Sequence, residues 1–333
     1  MVSLLWIIGN GFDLQHGLPT SYLDFWKWLH RACGLTDFKG ETHGCSFDVR
    51  DLSPITMPDG EEVFSRKDQV EFLCWVFNAC STNADGWSNL EEAIGLLDFE
   101  ELLADIDYED KDGDPKYWQI TSEITDRSDW IHIGLLETLK FFKEWVDSEL
   151  KLLHASPQRT FEELFSIQPR RFVTFNYTKT LEITYGIDPI EVIHLHGKPN
   201  ATWEEFRFGH GQFNTPIQDV AFGAADKLVT EFLKSSRKQL NLDMLDQLDY
   251  AKVSGIVFYG FSFGTVDQPY IARLRERCPA SIPWFLVKRN REDFSVIENA
   301  LPSLKKFQPA SVHALPLDEI NLRHMLARNS QTA

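Results

Sequence analysis

The chain has 333 residues, of which 43% are hydrophobic, enough for one large folded domain or two smaller ones. Its formal net charge of -17 repels phosphate backbones and anionic lipid, so we expect no nucleic-acid partner. No run approaches the ~18 uncharged apolar residues that span a bilayer, and no basic leader precedes the first strand-like segment. We therefore expect a cytoplasmic protein without a membrane partner.

The first residues predict a strand, a turn and a helix. Residues 2–8, "VSLLWII", form a continuous apolar run, which is typical of a strand buried on both faces. Gly9 and Gly11 follow, and residues 21–32 carry apolar side chains at helical spacing. The glycines suit either a phosphate cradle at a helix N-terminus or a plain tight turn. Their spacing is not the GxGxxG of classical dinucleotide folds, so the glycines alone do not decide between the two. Asp13 is either a ribose contact or a helix cap.

The middle of the chain, residues 34–167, is predicted to be a mainly helical insertion. An irregular stretch rich in Gly, Pro, Asp and Ser comes first, and helical patterns follow at 67–80, 88–106 and 130–153. The acidic run at 105–114 does not place oxygen ligands at the positions of a calcium loop. It is interpreted as a solvated loop.

Strand-like runs return at 170–178, 190–197, 253–263 and 282–290, with helical patterns at 226–248 and 267–277. Alternating strands and helices predict an α/β fold with a mostly parallel, Rossmann-like sheet flanked by helices. Residues 1–33 and 168–333 are predicted to form this nucleotide-binding core.

Ligands of an open parallel sheet gather at the carboxyl ends of its strands, and polar residues cluster there. Asn176 ends one strand with an amide suited to orienting a sugar hydroxyl or a water, or else to satisfying backbone groups. His196 is a candidate general base at the rim, whereas His194 suits a structural role. The two histidines alternate along a strand and should face opposite ways, and the five cysteines form no CxxC pair, so no metal site is expected.

Ser262, in "GFSFG", offers a hydroxyl to a phosphate. The same letters resemble the GxSxG elbow of serine hydrolases, for which Asp267 and His313 could complete a triad. That alternative stays open on the residues alone.

Together these motifs resemble the AbiH family of bacterial phage abortive-infection proteins. The family's segments correspond here to "GNGFDLQHGLPTSYLDF", "WSNLEEAI", "FNYTKTLE", "HLHG", "FGHG" and "GFSFGTVD", in the same order. The resemblance implies a part in antiviral defence.

A more distant resemblance is to the sirtuin-type NAD-binding fold, through its glycine-rich loop, its "TQNID" loop, its catalytic "HG" pair and its "GTS" loop. Two features depart from that pattern. The aspartate of "TQNID" is Thr178 here, and the four-cysteine zinc module is missing from the sequence. The second departure argues against a protein deacetylase.

Defence proteins with sirtuin-like domains commonly hydrolyse NAD at the nicotinamide-ribose bond, so the resemblance implies an NAD glycohydrolase with NAD as substrate or ligand. It implies catalytic roles for Asn176 and His196. The residues implied in nucleotide binding are Gly9, Asn10, Gly11, Asp13, Thr178, Gly260, Ser262 and Lys288. The alternatives are a non-catalytic nucleotide-binding sensor or interaction module, or another hydrolase. By analogy with the family, we expect a phage-derived trigger or an operon-encoded protein as a partner, and assembly into a homo-oligomer.

Overall fold

The computed structural model describes residues 3–32, 55–60, 62–71, 91, 109, 111–114, 116–167, 169–202, 205–207, 240–279, 281–288 and 312–317. Nearly all of the predicted helix at 88–106 lies outside these residues, as do the second part of the helix at 67–80 and the first part of the helix at 226–248.

A six-stranded sheet in which every pairing is parallel forms the centre of the fold. Its strands are β1 (Ser3–Ile8), β4 (Arg170–Thr174), β5 (Val192–His194), β6 (Val253–Tyr259), β7 (Trp284–Lys288) and β8 (Val312–Pro316). The strands β2 (Ile55–Thr56) and β3 (Glu62–Val63) pair separately and antiparallel. The sheet order is β5-β4-β1-β6-β7-β8. Strands β4 and β5 are added on one side of β1, and the chain then reverses direction and adds β6, β7 and β8 on the other side.

Helices accompany the strands. They are α1 (Gly11–Gln15), α2 (Tyr22–Ala32), α3 (Tyr117–Ser148), α4 (Arg159–Phe165), α5 (Thr180–Tyr185), α6 (Leu242–Asp246) and α7 (Gln268–Arg277). Residues 66–71 are also helical. Short 3-10 turns occur at Leu150–Leu152, Pro189–Glu191, Tyr250–Lys252 and Thr265–Asp267.

The sheet is buried on both faces, as the unbroken apolar run of β1 predicts. Alternate β1 side chains enter two separate apolar cores, Leu5 and Ile7 on one face and Trp6 and Ile8 on the other. Helices α6 and α7 contribute to the first core, and α1, α4 and α5 contribute to the second. Helices therefore cover both faces, and the α/β class with a parallel sheet is confirmed.

The chain divides into two compact units. The first consists of Met1–Ser21, Val146–Arg207 and Gln239–Ala333 and contains the whole six-stranded sheet. The second consists of Tyr22–Trp145 and Phe208–Lys238 and contains α2, the β2–β3 hairpin and most of α3. The predicted boundaries of the insertion at 34 and 167 stay predictions.

The elements differ from the sequence predictions mainly at their ends. Strands β4, β5 and β6 stop at 174, 194 and 259, before the polar residues that the predicted segments included. Those residues turn out of the sheet and form its carboxyl edge. Strand β7 ends at 288, and the last two residues of its predicted segment lie outside the described residues. The helices α1, α4 and α5 and the strand β8 were not predicted.

Candidate functional site

The predicted site residues follow the carboxyl ends of neighbouring parallel strands. Asn10 and Asp13 come after β1, Asn176 after β4, His196 after β5 and Ser262 after β6. Since parallel strands end at one edge of a sheet, the fold brings these loops to the same edge, around the point where the winding reverses between β1 and β6. Lys288 is the last residue of β7, one strand farther out.

Asp13 lies at the centre of a buried polar group. Its carboxylate is completely buried, and its Oδ2 accepts a hydrogen bond of 2.6 Å from the Thr178 hydroxyl. The Thr180 hydroxyl in turn donates to that of Thr178 over 2.9 Å. Asp13 Oδ1 and the buried Asn176 Oδ1 have no hydrogen-bond partner among the described residues. Two acceptors without donors are what a ligand carrying hydroxyl groups would satisfy.

Burial also changes the chemistry of this carboxyl group. Desolvation raises the pKa of Asp13 from its ordinary 3.8 to about 6, because water no longer stabilises the charged form. The polar groups of Thr178, Thr180 and Asn176 and the charge of His194 offset only part of this effect. Asp13 therefore exchanges its proton near neutral pH. Of the two interpretations of Asp13, the helix cap does not fit, because the residue lies inside α1 and its side chain bonds Thr178.

His194 has a partner of its own in Glu182 of α5. The His194 Nε2 lies 2.8 Å from Glu182 Oε1, and both side chains are largely buried. Burial by itself raises the pKa of Glu182, but the hydrogen bond and charge of His194, together with the Glu182 backbone and the charge of Lys179, hold that pKa below its ordinary value. This buried pair ties β5 to α5, which agrees with the structural role expected for His194.

His196 lies beyond β5 and is 4% exposed. Its ring is surrounded by aromatic rings, with Phe175 edge-on at 4.9 Å, Tyr270 at 5.8 Å and Tyr177 at 6.0 Å between centroids. Phe175 and Tyr177 flank Asn176 in sequence. The loop after β4 therefore supplies both a polar atom to the Asp13 group and aromatic contacts to His196.

Asp267 was not predicted to meet His196. Its Oδ1 lies 3.5 Å from His196 Nε2, within ion-pair range. The sequence named Asp267 only as a member of a hydrolase triad. The pairing joins the loop after β5 to the start of α7. The two residues are 71 positions apart in the sequence (267 minus 196), and no local pattern predicts a contact at that separation.

The glycines after β1 and β6 pack backbone against backbone. A Cβ at Gly9 would lie 2.5 Å from Gly260 O, one at Gly11 2.7 Å from Gly260 Cα, and one at Gly260 2.4 Å from Phe12 N. The N–H groups of Gly9 and Gly11 donate to Tyr259 O and Gly260 O over 3.0 and 2.9 Å. These donors are therefore engaged within the protein, and α1 has only five residues. A phosphate cradle at Gly9 and Gly11 stays a prediction.

The remaining predicted binding residues differ in their availability. Asn10 forms two side-chain hydrogen bonds to Thr20, one to its carbonyl and one from its hydroxyl, and so fastens the loop internally. Ser262 is exposed between the buried Phe261 and Phe263, and within the described part of the chain its hydroxyl accepts a single long bond, of 3.4 Å, from Gly264 N–H.

The fold does not assemble the serine hydrolase triad. His313 is the second residue of β8 and pairs in register with Phe285, so it lies near the amino end of its strand. Ser262 follows the carboxyl end of β6, at the opposite edge, and Asp267 pairs with His196. Within the described part of the chain, no three His, Cys, Asp or Glu side chains form a group that could hold a metal ion.

Comparison with known proteins decides the family. Residues 5–287 match the model of the family described as "Bacteriophage abortive infection AbiH", which covers most of the chain. The chain belongs to the AbiH family. Membership implies a role for this AbiH protein in abortive infection as a defence against phage. No curated protein and no solved structure matches it. Among its described residues, no helix is both long and apolar enough to cross a membrane.

Proposed function

We propose that this AbiH protein is a cytoplasmic NAD glycohydrolase with a sirtuin-like core, which depletes NAD during phage infection. The observation that carries the proposal is that Asn176 and His196, both 4% exposed, follow the carboxyl ends of the adjacent strands β4 and β5. Counting only the sheet strands, their order is 3-2-1-4-5-6, that of dinucleotide-binding sheets, in which ligands bind at the reversal point.

The residues at this edge fit a nucleotide in part. The acceptor atoms Asp13 Oδ1 and Asn176 Oδ1 suit the hydroxyl donors of a ribose. The exposed Ser262 hydroxyl and Lys288 at the end of β7 suit phosphate oxygens. The backbone donors after β1 are engaged elsewhere, so the phosphates depend more on these side chains than on the glycine loop.

In the proposed reaction the bond between C1′ of the ribose and the nicotinamide nitrogen breaks, and its electron pair leaves with nicotinamide. Asn176 orients the ribose or the attacking water, and His196 accepts the proton of that water as its oxygen bonds to C1′. The products are nicotinamide, ADP-ribose and a proton. A buried, aromatic-walled position for His196 limits the access of other water molecules.

The test is nicotinamide release from NAD by the purified protein. We expect turnover by the wild type, and a loss of about 100-fold or more in His196→Gln and Asn176→Ala, since general-base and positioning groups contribute on that scale. Lys252→Gln serves as the control, because Lys252 is an exposed residue paired with Asp249. Activity that persists unchanged in both site variants contradicts the assignment. Calorimetric NAD binding without product would instead indicate a nucleotide-binding sensor.

A further inference from the structure

We propose that Asp267 is a positioning residue for His196, holding the imidazole so that one defined nitrogen faces the substrate. The inference rests on the proposed function, in which His196 is the base. It names an additional residue of that site, one that the resemblance to sirtuins does not supply.

The contact itself is the first support. Asp267 Oδ1 lies 3.5 Å from His196 Nε2, and the two side chains are 16% and 5% exposed. A carboxylate beside an imidazole fixes which ring nitrogen carries the proton and stabilises the cation that forms when the ring accepts a second one. The separation is that of an ion pair and not of a hydrogen bond, since Nε2 makes no hydrogen bond among the described residues. Contacts between catalytic groups are often long without ligand and shorten when the ligand is bound.

Asp267 is also not engaged as a helix cap. It occupies the N-cap position of α7, where an aspartate side chain ordinarily accepts a bond from the first turn. Here the side chain makes no capping hydrogen bond, and Pro269 lies in that first turn. The Asp267 carboxylate is therefore held by contacts other than a capping bond, and the ion pair with His196 is one of them.

The surroundings keep the pair in place. Tyr270, fully buried on α7, has its ring 5.8 Å from that of His196, and Asp267 N–H donates to Gly264 O over 3.1 Å. The positive end of the ten-residue helix α7 favours the ionised form of Asp267. His196 is thus held between an aromatic wall and a charged carboxylate.

This arrangement defines the proton path. With Nε2 directed at Asp267, the nitrogen that receives the proton of the attacking water is Nδ1. The imidazolium that results keeps its Nε2 proton directed at the Asp267 carboxylate, with which it forms an ion pair. Both protons stay on the ring until the one taken from water is released to solvent with the products, and Asp267 remains ionised throughout.

The first experiment does not depend on turnover. The ring carbon signals of His196 are titrated by NMR in the wild type, Asp267→Asn and Asp267→Glu, and assigned by their loss in His196→Gln. We expect the midpoint to move to lower pH by about one unit in Asp267→Asn, because a neighbouring carboxylate favours the charged imidazole, and to be largely restored in Asp267→Glu. Asp249→Asn is the matched control, since Asp249 is also an N-cap residue without a capping bond and pairs with Lys252.

The second experiment measures NAD hydrolysis. In Asp267→Asn we expect kcat to fall by about 10- to 100-fold with little change in KM, and the acid limb of the pH profile to move the same way as the NMR midpoint. An unchanged midpoint in a folded Asp267→Asn protein overturns the inference. If the wild type releases no nicotinamide while the midpoint still moves, the proposed reaction fails and the positioning of His196 by Asp267 is supported.

Discussion

Asp13 combines full burial with an acceptor oxygen that no described group satisfies. Its ionised form is disfavoured by desolvation, which the Thr178 hydroxyl bond and the polar groups of Thr180 and Asn176 offset only in part. The folded protein therefore holds the Asp13 proton up to about pH 6, whereas the unfolded chain releases it near the ordinary value of 3.8.

This difference predicts a pH-dependent cost to stability. Between the two pKa values the folded state binds more protons than the unfolded state, so the free energy of unfolding falls as pH rises. The loss is complete above about pH 6, and a shift of about two units corresponds to roughly 3 kcal/mol. Asp13→Asn keeps the size and the acceptor for Thr178 but removes the charge.

As pH rises from 4 to 7.5, we therefore expect the free energy of unfolding of Asp13→Asn to increase relative to that of the wild type by roughly 3 kcal/mol. Urea denaturation at a series of pH values measures it, with Asp243→Asn at an exposed position of α6 as the control. A stability difference that is the same at every pH would mean that the Asp13 charge is not buried in the folded protein.

His16 shows a different solution to burial at the same loop. Its Nδ1 lies 2.7 Å from Phe12 O, a carbonyl that can only accept, so Nδ1 carries the proton and Nε2 accepts from the Tyr185 hydroxyl. Burial lowers the pKa of His16, which makes the neutral ring the stable form in the folded state. This residue links the end of α1 to Tyr185 of α5.

At the scale of elements, the contact between the loops after β1 and β6 depends on glycine. Gly260 has a φ of 63°, and a Cβ there would lie 2.4 Å from Phe12 N. We expect Gly260→Ala to lower the free energy of unfolding by about 3 kcal/mol or more, from the left-handed conformation and the backbone overlap together.

Gly186 provides a matched control, because its φ is 61° and nothing lies within 4 Å of a Cβ added there. Gly186→Ala should cost only about 1 kcal/mol, the cost of the left-handed conformation alone. Denaturant unfolding of both variants separates the cost of the left-handed conformation from the cost of the backbone overlap. Equal costs would mean that the loops separate freely to accommodate a side chain.

The element predictions succeeded where the local pattern is strong. The apolar run at 2–8 predicted β1 to within one residue, and the pattern at 267–277 predicted α7 equally closely. The strand β8 was missed because "VHALP" is short and includes His313 and Pro316, and Pro is tolerated only at a sheet edge, which is where β8 lies. Its pairing with β7 is a long-range contact that the segment itself does not encode.

At the scale of the whole molecule, the net charge of -17 weighs against a nuclease. We expect duplex DNA to bind with a Kd weaker than about 100 µM at 150 mM salt, beyond the weak end of ordinary non-specific binding. Fluorescence anisotropy with a labelled duplex measures this, and an oligonucleotide cleavage assay accompanies it. Tighter binding that weakens steeply with added salt would reveal a concentrated basic surface and favour the alternative hydrolase.

The sequence by itself determined the α/β class, the strand ends that carry polar residues and the AbiH family, because these depend on local periodicity and on motifs read in order. The tertiary structure alone decided how those residues meet. It paired His196 with Asp267, placed Asp13 beside Thr178, and packed the backbone of Gly9 and Gly11 against that of Gly260. These partners are far apart in the chain, and only strand order and register set their distance, which no local pattern records.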